Sequence, residues 1–257
     1  MCLILFAWKA HPSYPLILAA NRDEFYDRPS QPADFWKDHP RVLAGIDLQE
    51  KGTWLGVAKD GRFAAVTNYR DPSSWRPDAP SRGQLVSRFL TGSEDPGDYL
   101  QKMSGKAHRY NGFNLLAGDV RDLFVYSNRD RILKLDPGIY GLSNHLLDSP
   151  WPKVKRGKKL LAAALERTGQ ALEDALFDLL ANRRVAPDAA LPQTGVTLEW
   201  ERMLSPMFIK TPVYGTRAST VLLIARNGRI RFVEKTFNGA DEPWLVSRFS
   251  FQREAAA

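Results

Sequence analysis

The sequence is poor in cysteine and histidine and has no long apolar run, and each shortage excludes something. Cys2 is the one cysteine among 257 residues. A lone cysteine cannot build an internal disulfide framework, and a thiolate zinc site needs more of them. Such usage fits a reducing compartment such as the cytoplasm. The four histidines, His11, His39, His108 and His145, show no ligand spacing on a common helix, so no zinc centre is expected. No segment approaches the roughly 18 consecutive apolar residues of a membrane-spanning helix. The run 2–8 is apolar but has no basic leading segment. Lys9 and His11 end it early, which is not the pattern of a secretory signal. The expectation is a soluble, unexported chain.

What remains is ordinary for a globular protein. Hydrophobic residues make up 44% and charged residues 25%, enough for a core that needs no staples and, at this length, for a single domain over 1–257. Net charge is +7, but the charges are dispersed, which reads as a solvated basic surface. The densest cluster, Lys153, Lys155, Arg156, Lys158 and Lys159, falls in a predicted helix. No nucleic-acid-binding module accompanies it, so nucleic acid is not an expected partner. The excess of positive charge is a weak pointer to an anionic ligand.

Strand signals come first along the chain. Residues 2–8 and 16–20 are apolar runs separated by His11-Pro12-Ser13-Tyr14-Pro15, and 53–58 and 62–68 flank Asp60-Gly61, a two-residue hairpin signal. After a proline-rich loop at 71–80, a helix is predicted over 82–90 with Ser81 as its cap. Further strands fall at 114–117, 123–126 and up to Asn144. Leu160, Leu161, Ala164 and Leu165, then Leu172, Leu176, Leu179 and Leu180, mark two helices divided by Gly169. Strands return at 219–225 and 229–235 across Asn227-Gly228, and the tail 253–257 is expected to fray. Strands without intervening helices argue against a doubly wound parallel sheet. They indicate an α+β fold with a largely antiparallel sheet and helices on its faces.

The chemistry centres on Cys2. Methionine aminopeptidase removes Met1 when the second side chain is small, leaving a thiol and an α-amino group on one residue. That amine, with a reference pKa of about 7.7–8.0, can act as base for the thiol. By position alone, Cys2 reads more readily as a small buried hydrophobe at the start of an edge strand. The polar run Asn21-Arg22-Asp23-Glu24 shifts that balance, because a hairpin of 2–8 with 16–20 folds it back beside Cys2. An arginine there favours the thiolate and a carboxylate holds the amine. Strand alternation puts Asn21 and Asp23 on one face and Arg22 and Glu24 on the other. The two sets share a face only where the strand ends or bulges.

Met1-Cys2-Leu3-Ile4 together with Ala20-Asn21-Arg22-Asp23-Glu24 resembles the NRDE-motif family, also called the transport and Golgi organisation family. The resemblance extends over the chain through 67–70, 142–144 and 214–220. It implies the four-layer αββα sandwich of amino-terminal-nucleophile (Ntn) hydrolases. A more distant resemblance to penicillin V acylases and bile salt hydrolases implies roles. Cys2 is the nucleophile with Arg22 and Asp23 beside it, Asn68 and Asn144 are oxyanion or substrate-positioning groups, and Arg217 is a supporting cation. In those acylases two residues separate the arginine from the aspartate, whereas Arg22 and Asp23 are adjacent; the alternative registration uses Asn21 and Glu24.

The expected activity is that of an amidohydrolase or acyltransferase on a non-peptide C–N amide, which needs no cofactor. The alternative is a protein that binds or carries haem or another apolar anionic ligand on the same fold, with Cys2 or a histidine as iron ligand. A role as a structural adaptor in secretion follows from the family's name only. Trp8, Trp54 and Trp75 are candidates to line an apolar pocket, and His145 to reach it.

Overall fold

The computed structural model describes residues 2–255. In chain order the strands and helices are β1 (Cys2–Trp8), β2 (Leu16–Phe25), β3 (Ser30–Phe35), β4 (Val42–Asp47), β5 (Leu55–Ala58), β6 (Phe63–Asn68), α1 (Gly83–Thr91) and α2 (Pro96–Ser104), followed by β7 (Phe113–Gly118), β8 (Leu123–Ser127), β9 (Ile132–Lys134), β10 (Gly138–Leu142), α3 (Pro152–Ala164), α4 (Gly169–Leu180), α5 (Leu198–Met203), β11 (Tyr214–Ile224), β12 (Arg229–Thr236) and β13 (Leu245–Gln252). Among these residues the strands form two antiparallel sheets, ordered β10-β1-β2-β11-β12-β13 and β3-β4-β5-β6-β7-β8-β9.

Three of the apolar clusters define four layers. Ile4, Phe6, Trp8, Leu16, Leu18 and Ala20 of the first sheet meet Leu43, Val57, Phe63, Ala65 and Leu116 of the second. The opposite face of β1 and β2, with Leu3, Leu5, Ala7, Ile17 and Ala19, packs against Val154 and Leu161 of α3 and Leu172 and Leu176 of α4. The outer face of the second sheet, including Ala64, Val66, Leu115 and Ala117, packs against α1 and α2 through Leu85, Phe89, Leu100 and Met103. The order is helix, sheet, sheet, helix: an αββα sandwich. Every residue of β1 is buried, which is why 2–8 reads as a continuous apolar run rather than an alternating one. β1 is flanked by β10 and β2, so Cys2 heads an inner strand, not an edge strand.

Several local expectations need correction. Strands β3, β4, β9 and β13 and helices α2 and α5 carry weaker periodicity than the elements expected from sequence; β3, for example, is mostly polar and half-buried. Helix α1 starts at Gly83 with Arg82 at its cap position and no side-chain cap, so Ser81 does not cap it. In the turns at Asp60-Gly61 and Asn227-Gly228 only the glycines have positive φ, at 90° and 83°. The preceding Asp60 and Asn227 instead accept hydrogen bonds from the N–H two residues on, making these longer glycine-bulge hairpins. The tail at 253–255 is tied down, not frayed. The Arg253 and Glu254 N–H groups bond Gly228 and Lys59 carbonyls, and Arg41 pairs with Glu254 at 2.6 Å. The remainder of the tail lies outside the described residues.

Helix α3 lies close on β1 because Gly157 leaves room. A Cβ at that position would stand 2.5 Å from Leu5 Cδ1 and 2.7 Å from its Cδ2. Gly157→Ala should therefore lower the melting temperature by overpacking at about 1–3 kcal/mol, outweighing the roughly 1 kcal/mol that alanine gains in a helix. Calorimetry showing equal or higher stability would mean that α3 has freedom to lift.

Candidate active site

The register of β1, β2 and β11 decides which side chains meet. Cys2 is the cross-strand partner of Arg22, and Arg22 of Ala218. Directly opposed residues in an antiparallel pair point to the same face, so Cys2 and Arg22 share the inter-sheet side with Ile4 and Ala20. There a cavity of about 390 Å³ opens between the sheet ends. Cys2, Arg22, Asp23, Asn68 and Arg217 line it, together with Asp47, Trp54, Trp75, Arg82 and Glu234. Cys2 is 7% exposed. Burial lifts its thiol above the ordinary range, the Asp23 and Glu24 carboxylates push the same way, and the Arg22 guanidinium opposes them.

The two registrations left open by the sequence are now separated. β2 continues to Phe25, so alternation persists through the motif. Asn21 turns to the helical layer, where its amide donates to the Leu180 and Met207 carbonyls at 2.9 and 2.8 Å and its oxygen accepts from Ser219 at 2.7 Å. It is a structural tie, away from the thiol. Arg22 faces Cys2 and donates to Asp47 Oδ2 at 3.3 Å. Asp47 also takes Arg28 at 2.7 Å and the N–H groups of Gln49 and Glu50. Partial burial pulls the Asp47 carboxyl upward, but these donors hold it below its ordinary value. Asp47, at the end of β4, thereby ties Arg22 of the first sheet and Arg28 of the β2–β3 turn to the second sheet across the cleft.

Asp23 lies at the boundary of the two faces. It lines the cavity, accepts from the Thr216 hydroxyl at 2.8 Å and is raised by burial, with Lys153 acting in opposition. Glu24 is at the mouth, 3.9 Å from Arg28. Arg217 sits where the β11 register shifts between Thr216 and Ala218. Its guanidinium donates to the carbonyls of Phe25, Tyr26, Arg28 and Phe237. It binds the end of β2 to β11 and is held by backbone.

The two asparagines divide. Asn68 ends β6 and lines the cavity, whereas Asn144 is fully buried and donates to the Asn68 carbonyl at 3.0 Å. Around it, Ser143 donates to the Cys2 carbonyl at 3.1 Å, Thr67 to the Ser143 carbonyl at 2.6 Å, and Asn114 to Thr67 at 3.0 Å. These bonds join the sheets directly behind residue 2. Trp54 and the exposed Trp75 line the cavity as expected, but Trp8 is in the inter-sheet core at the far end of β1. His145 packs on Tyr69 and Trp151 and is not among the lining residues.

Four groups escaped the sequence reading. Arg82 lines the cavity and donates to the Gly112 carbonyl at 3.1 Å; burial lowers its guanidinium, with Cys2 the first of the opposing groups. It sits at the cap position of α1, and nothing in the predicted helix showed that its start reaches the cleft. Glu234 is buried, accepting from the Ala33 N–H at 2.8 Å and Thr220 at 3.1 Å. Its parity with the inward Ile230 and Phe232 marked it as an acid on a core face. Lys153, read as part of a basic surface cluster, is 2% exposed and on the buried stripe of α3 with Val154, Gly157 and Leu161. Asp47 closes a strand that had no strong signal. Among the described residues, no group of three or more His, Cys, Asp and Glu side chains could hold a metal ion, and no helix is long and apolar enough to cross a membrane.

An αββα sandwich with a cysteine heading an inner strand at the cleft is the architecture of Ntn hydrolases. A solved mutant of the conjugated bile acid hydrolase from Clostridium perfringens superposes with a TM-score of 0.50, covering 100% of this chain and 99% of that one at 9% identity. At that identity the likeness is one of fold. The family is shown by sequence. The family model for Transport and Golgi organisation 2 matches residues 1–239. The Transport and Golgi organization protein 2 homolog of Bos taurus is 39% identical, covering 99% of this chain and 100% of that one. The Homo sapiens homolog is 39% identical over 98% and 99%, and the Drosophila melanogaster protein 29% identical over 94% of each. This chain belongs to the Transport and Golgi organisation 2 family.

With Met1 retained, the raised thiol makes a direct prediction. Alkylation of Cys2 by iodoacetamide should be slow at neutral pH and still be rising with pH where an exposed cysteine has levelled off, since the thiolate is the reacting form. Intact mass against time at each pH reads the rate. A plateau already reached at neutral pH would contradict the burial of the thiol.

Proposed function

We propose that this chain is an amidohydrolase or acyltransferase that uses residue 2 as an amino-terminal cysteine nucleophile on a small, non-peptide linear amide. One observation carries the reading: Cys2 and Arg22 share a face at the wall of the cavity, with Asp23 and Arg82 beside them. Removal of Met1 puts an α-amino group on the cysteine itself. The thiol proton passes to that amine, directly or through a water, as Sγ bonds to the amide carbonyl carbon and the C=O π pair moves to oxygen. Asn68 and backbone N–H groups receive the oxyanion. On collapse the C–N bond breaks, the amine returns its proton to the leaving nitrogen, and a thioester remains. Water then releases the acid and restores the thiol; an amine acceptor in place of water makes the same step an acyl transfer.

The other residues take supporting parts. Arg22 favours the thiolate, and Asp23 orients the α-amino group. Asn144 steadies Asn68 through its backbone carbonyl, and Arg217 holds the β2 end in place by carbonyls. The chemistry requires no cofactor. A panel of N-acyl amides should be hydrolysed by protein lacking Met1, with a loss of roughly a thousand-fold or more in Cys2→Ala. Equal turnover by Cys2→Ala, or full activity in protein whose intact mass retains Met1, would sink the reading.

The lining also favours a second occupant. Trp54 and Trp75, with Arg28, Arg76 and Arg82, suit an apolar ring bearing anionic groups, as in haem. Among the described lining residues there is no histidine, so Cys2 would be the iron ligand. Titration with haem at micromolar protein should give a Soret shift that Cys2→Ala abolishes; a flat response would remove this reading.

A further inference from the structure

Five arginines line the cavity, and four of them are committed to the protein itself. Arg22 and Arg28 give their charge to Asp47. Arg217 holds the four carbonyls already described, and the exposed Arg76 holds those of His108 and Tyr110. Arg82 differs. Among the described residues its guanidinium makes one hydrogen bond, from Nη1 to the Gly112 carbonyl at 3.1 Å, and pairs with no carboxylate. A guanidinium carries five N–H donors and never loses its proton. Most of those donors, and the whole charge, are left over after the protein's own contacts.

The backbone fixes where this charge stands. The Gly112 carbonyl that accepts from Arg82 also accepts from the Tyr69 N–H at 2.9 Å. The guanidinium therefore lies beside the residue that follows Asn68. Asn68 is held from the other side, where Asn144 donates to its carbonyl at 3.0 Å. Ser143, one residue before Asn144, donates to the Cys2 carbonyl at 3.1 Å. This ladder leads from Arg82 to Cys2 through Asn68, and all three line the same cavity. Arg82 is also anchored at its base. The Gly83 carbonyl accepts from the Thr53 N–H at 3.3 Å, and a Cβ on Gly52 would stand 2.7 Å from the Gly83 carbonyl carbon. Leu85 and Phe89 seat the rest of α1 in the outer core. A donor fixed in advance needs no reorganisation when negative charge develops in front of it.

We propose that Arg82 is a further catalytic residue of this site, a second oxyanion donor acting beside Asn68. The inference rests on the reading of residue 2 as an amino-terminal nucleophile. As Sγ bonds to the carbonyl carbon and the π pair moves to oxygen, Arg82 donates a hydrogen bond to that oxygen and keeps its proton. When the pair returns and the C–N bond breaks, the oxygen is a neutral carbonyl again and the contact weakens. The contribution is electrostatic, and it is largest in the tetrahedral state, where the oxygen carries a full charge in a partly enclosed cleft. Arg22 already faces Cys2 across the strand pair, so support of the thiolate does not require Arg82.

Two rates measured on protein lacking Met1 test the assignment: hydrolysis of an N-acyl amide from the panel, and alkylation of Cys2 by iodoacetamide. Arg82→Gln removes the charge but keeps an amide that can donate to the Gly112 carbonyl. Its kcat should fall roughly a hundredfold or more, with KM within about twofold of the wild type. Alkylation passes through no oxyanion and should change by less than about threefold. Arg82→Lys keeps the charge without the planar fork and should lose only about tenfold in kcat. Wild-type kcat in a folded Arg82→Gln overturns the proposal, and so does a loss confined to KM. Alkylation that falls in step with kcat overturns it too, because Arg82 would then serve the thiolate. Wild-type kcat in Arg82→Lys has the same force, even where Arg82→Gln fails to fold. Hydrolysis that survives Cys2→Ala, or a wild type that hydrolyses none of the panel, removes the nucleophile reading and this inference with it. Hydrolysis that depends on Cys2 but is indifferent to Arg82 removes the inference alone.

Discussion

The antiparallel register of β1 against β2, with Cys2 opposite Arg22, is the constraint on which the rest of the site depends. Shifting that pairing by one residue would turn Arg22 to the helices and bring Asn21 to the thiol, while every apolar residue of β2 changed layers. The register is held because β1 is buried on both sides, by the inter-sheet core and by α3 and α4. Packing far from the site therefore determines which member of the polar run faces the cleft. The β11 register carries the same logic onward: Ala218 meets Arg22, and the shift beside it releases Arg217 to collect the carbonyls at the end of β2.

The sheet also separates two electrostatic systems. On the cavity side, Asp47 gathers Arg22 and Arg28 across the gap between sheets, and the thiol lies beside cations. On the helical side, Arg70 and Glu201 pair, and Lys153 and Asp23 are buried as well. Asp23 is common to both, since it lines the cavity and is also bonded by Thr216 and Tyr214 of β11. A change of charge on either side reaches residue 2 through it, with little solvent to screen the effect.

Much of this was legible in the sequence where one physical rule acted alone. The continuous apolar runs at 2–8 and 16–20, the glycine turns and the leucine stripes of α3 and α4 all led to elements that the structure contains. The nearness of the Asn21–Glu24 run to Cys2 followed from the hairpin. The sequence left open which residues faced the thiol, because alternation requires knowing that β2 runs on to Phe25. Lys153 and Glu234 were readable by parity with apolar neighbours, yet charge masked the pattern. Arg82 and Asp47 were not readable at all: they reach the cleft from other segments through tertiary packing, and Trp8 was misassigned because an aromatic residue says nothing of which end of its strand it occupies.

The distribution of buried polar groups is itself an argument. Within an αββα sandwich, apolar side chains would fill the space behind β1 and β2 at lower cost than ion pairs, because taking charges out of water is repaid only by excellent geometry. In this chain Asp23, Arg70, Lys153, Glu201 and Glu234 are all buried, and Asp23 and Lys153 are near enough to Cys2 to act on its charge. The opposite end of β1, at Trp8, meets an ordinary core. Departures from the packing optimum tend to occur where a fold carries a working site. A purely structural cysteine would need none of these neighbours. Their concentration around the Cys2 end of β1 marks that end as the place where this fold departs furthest from an apolar core.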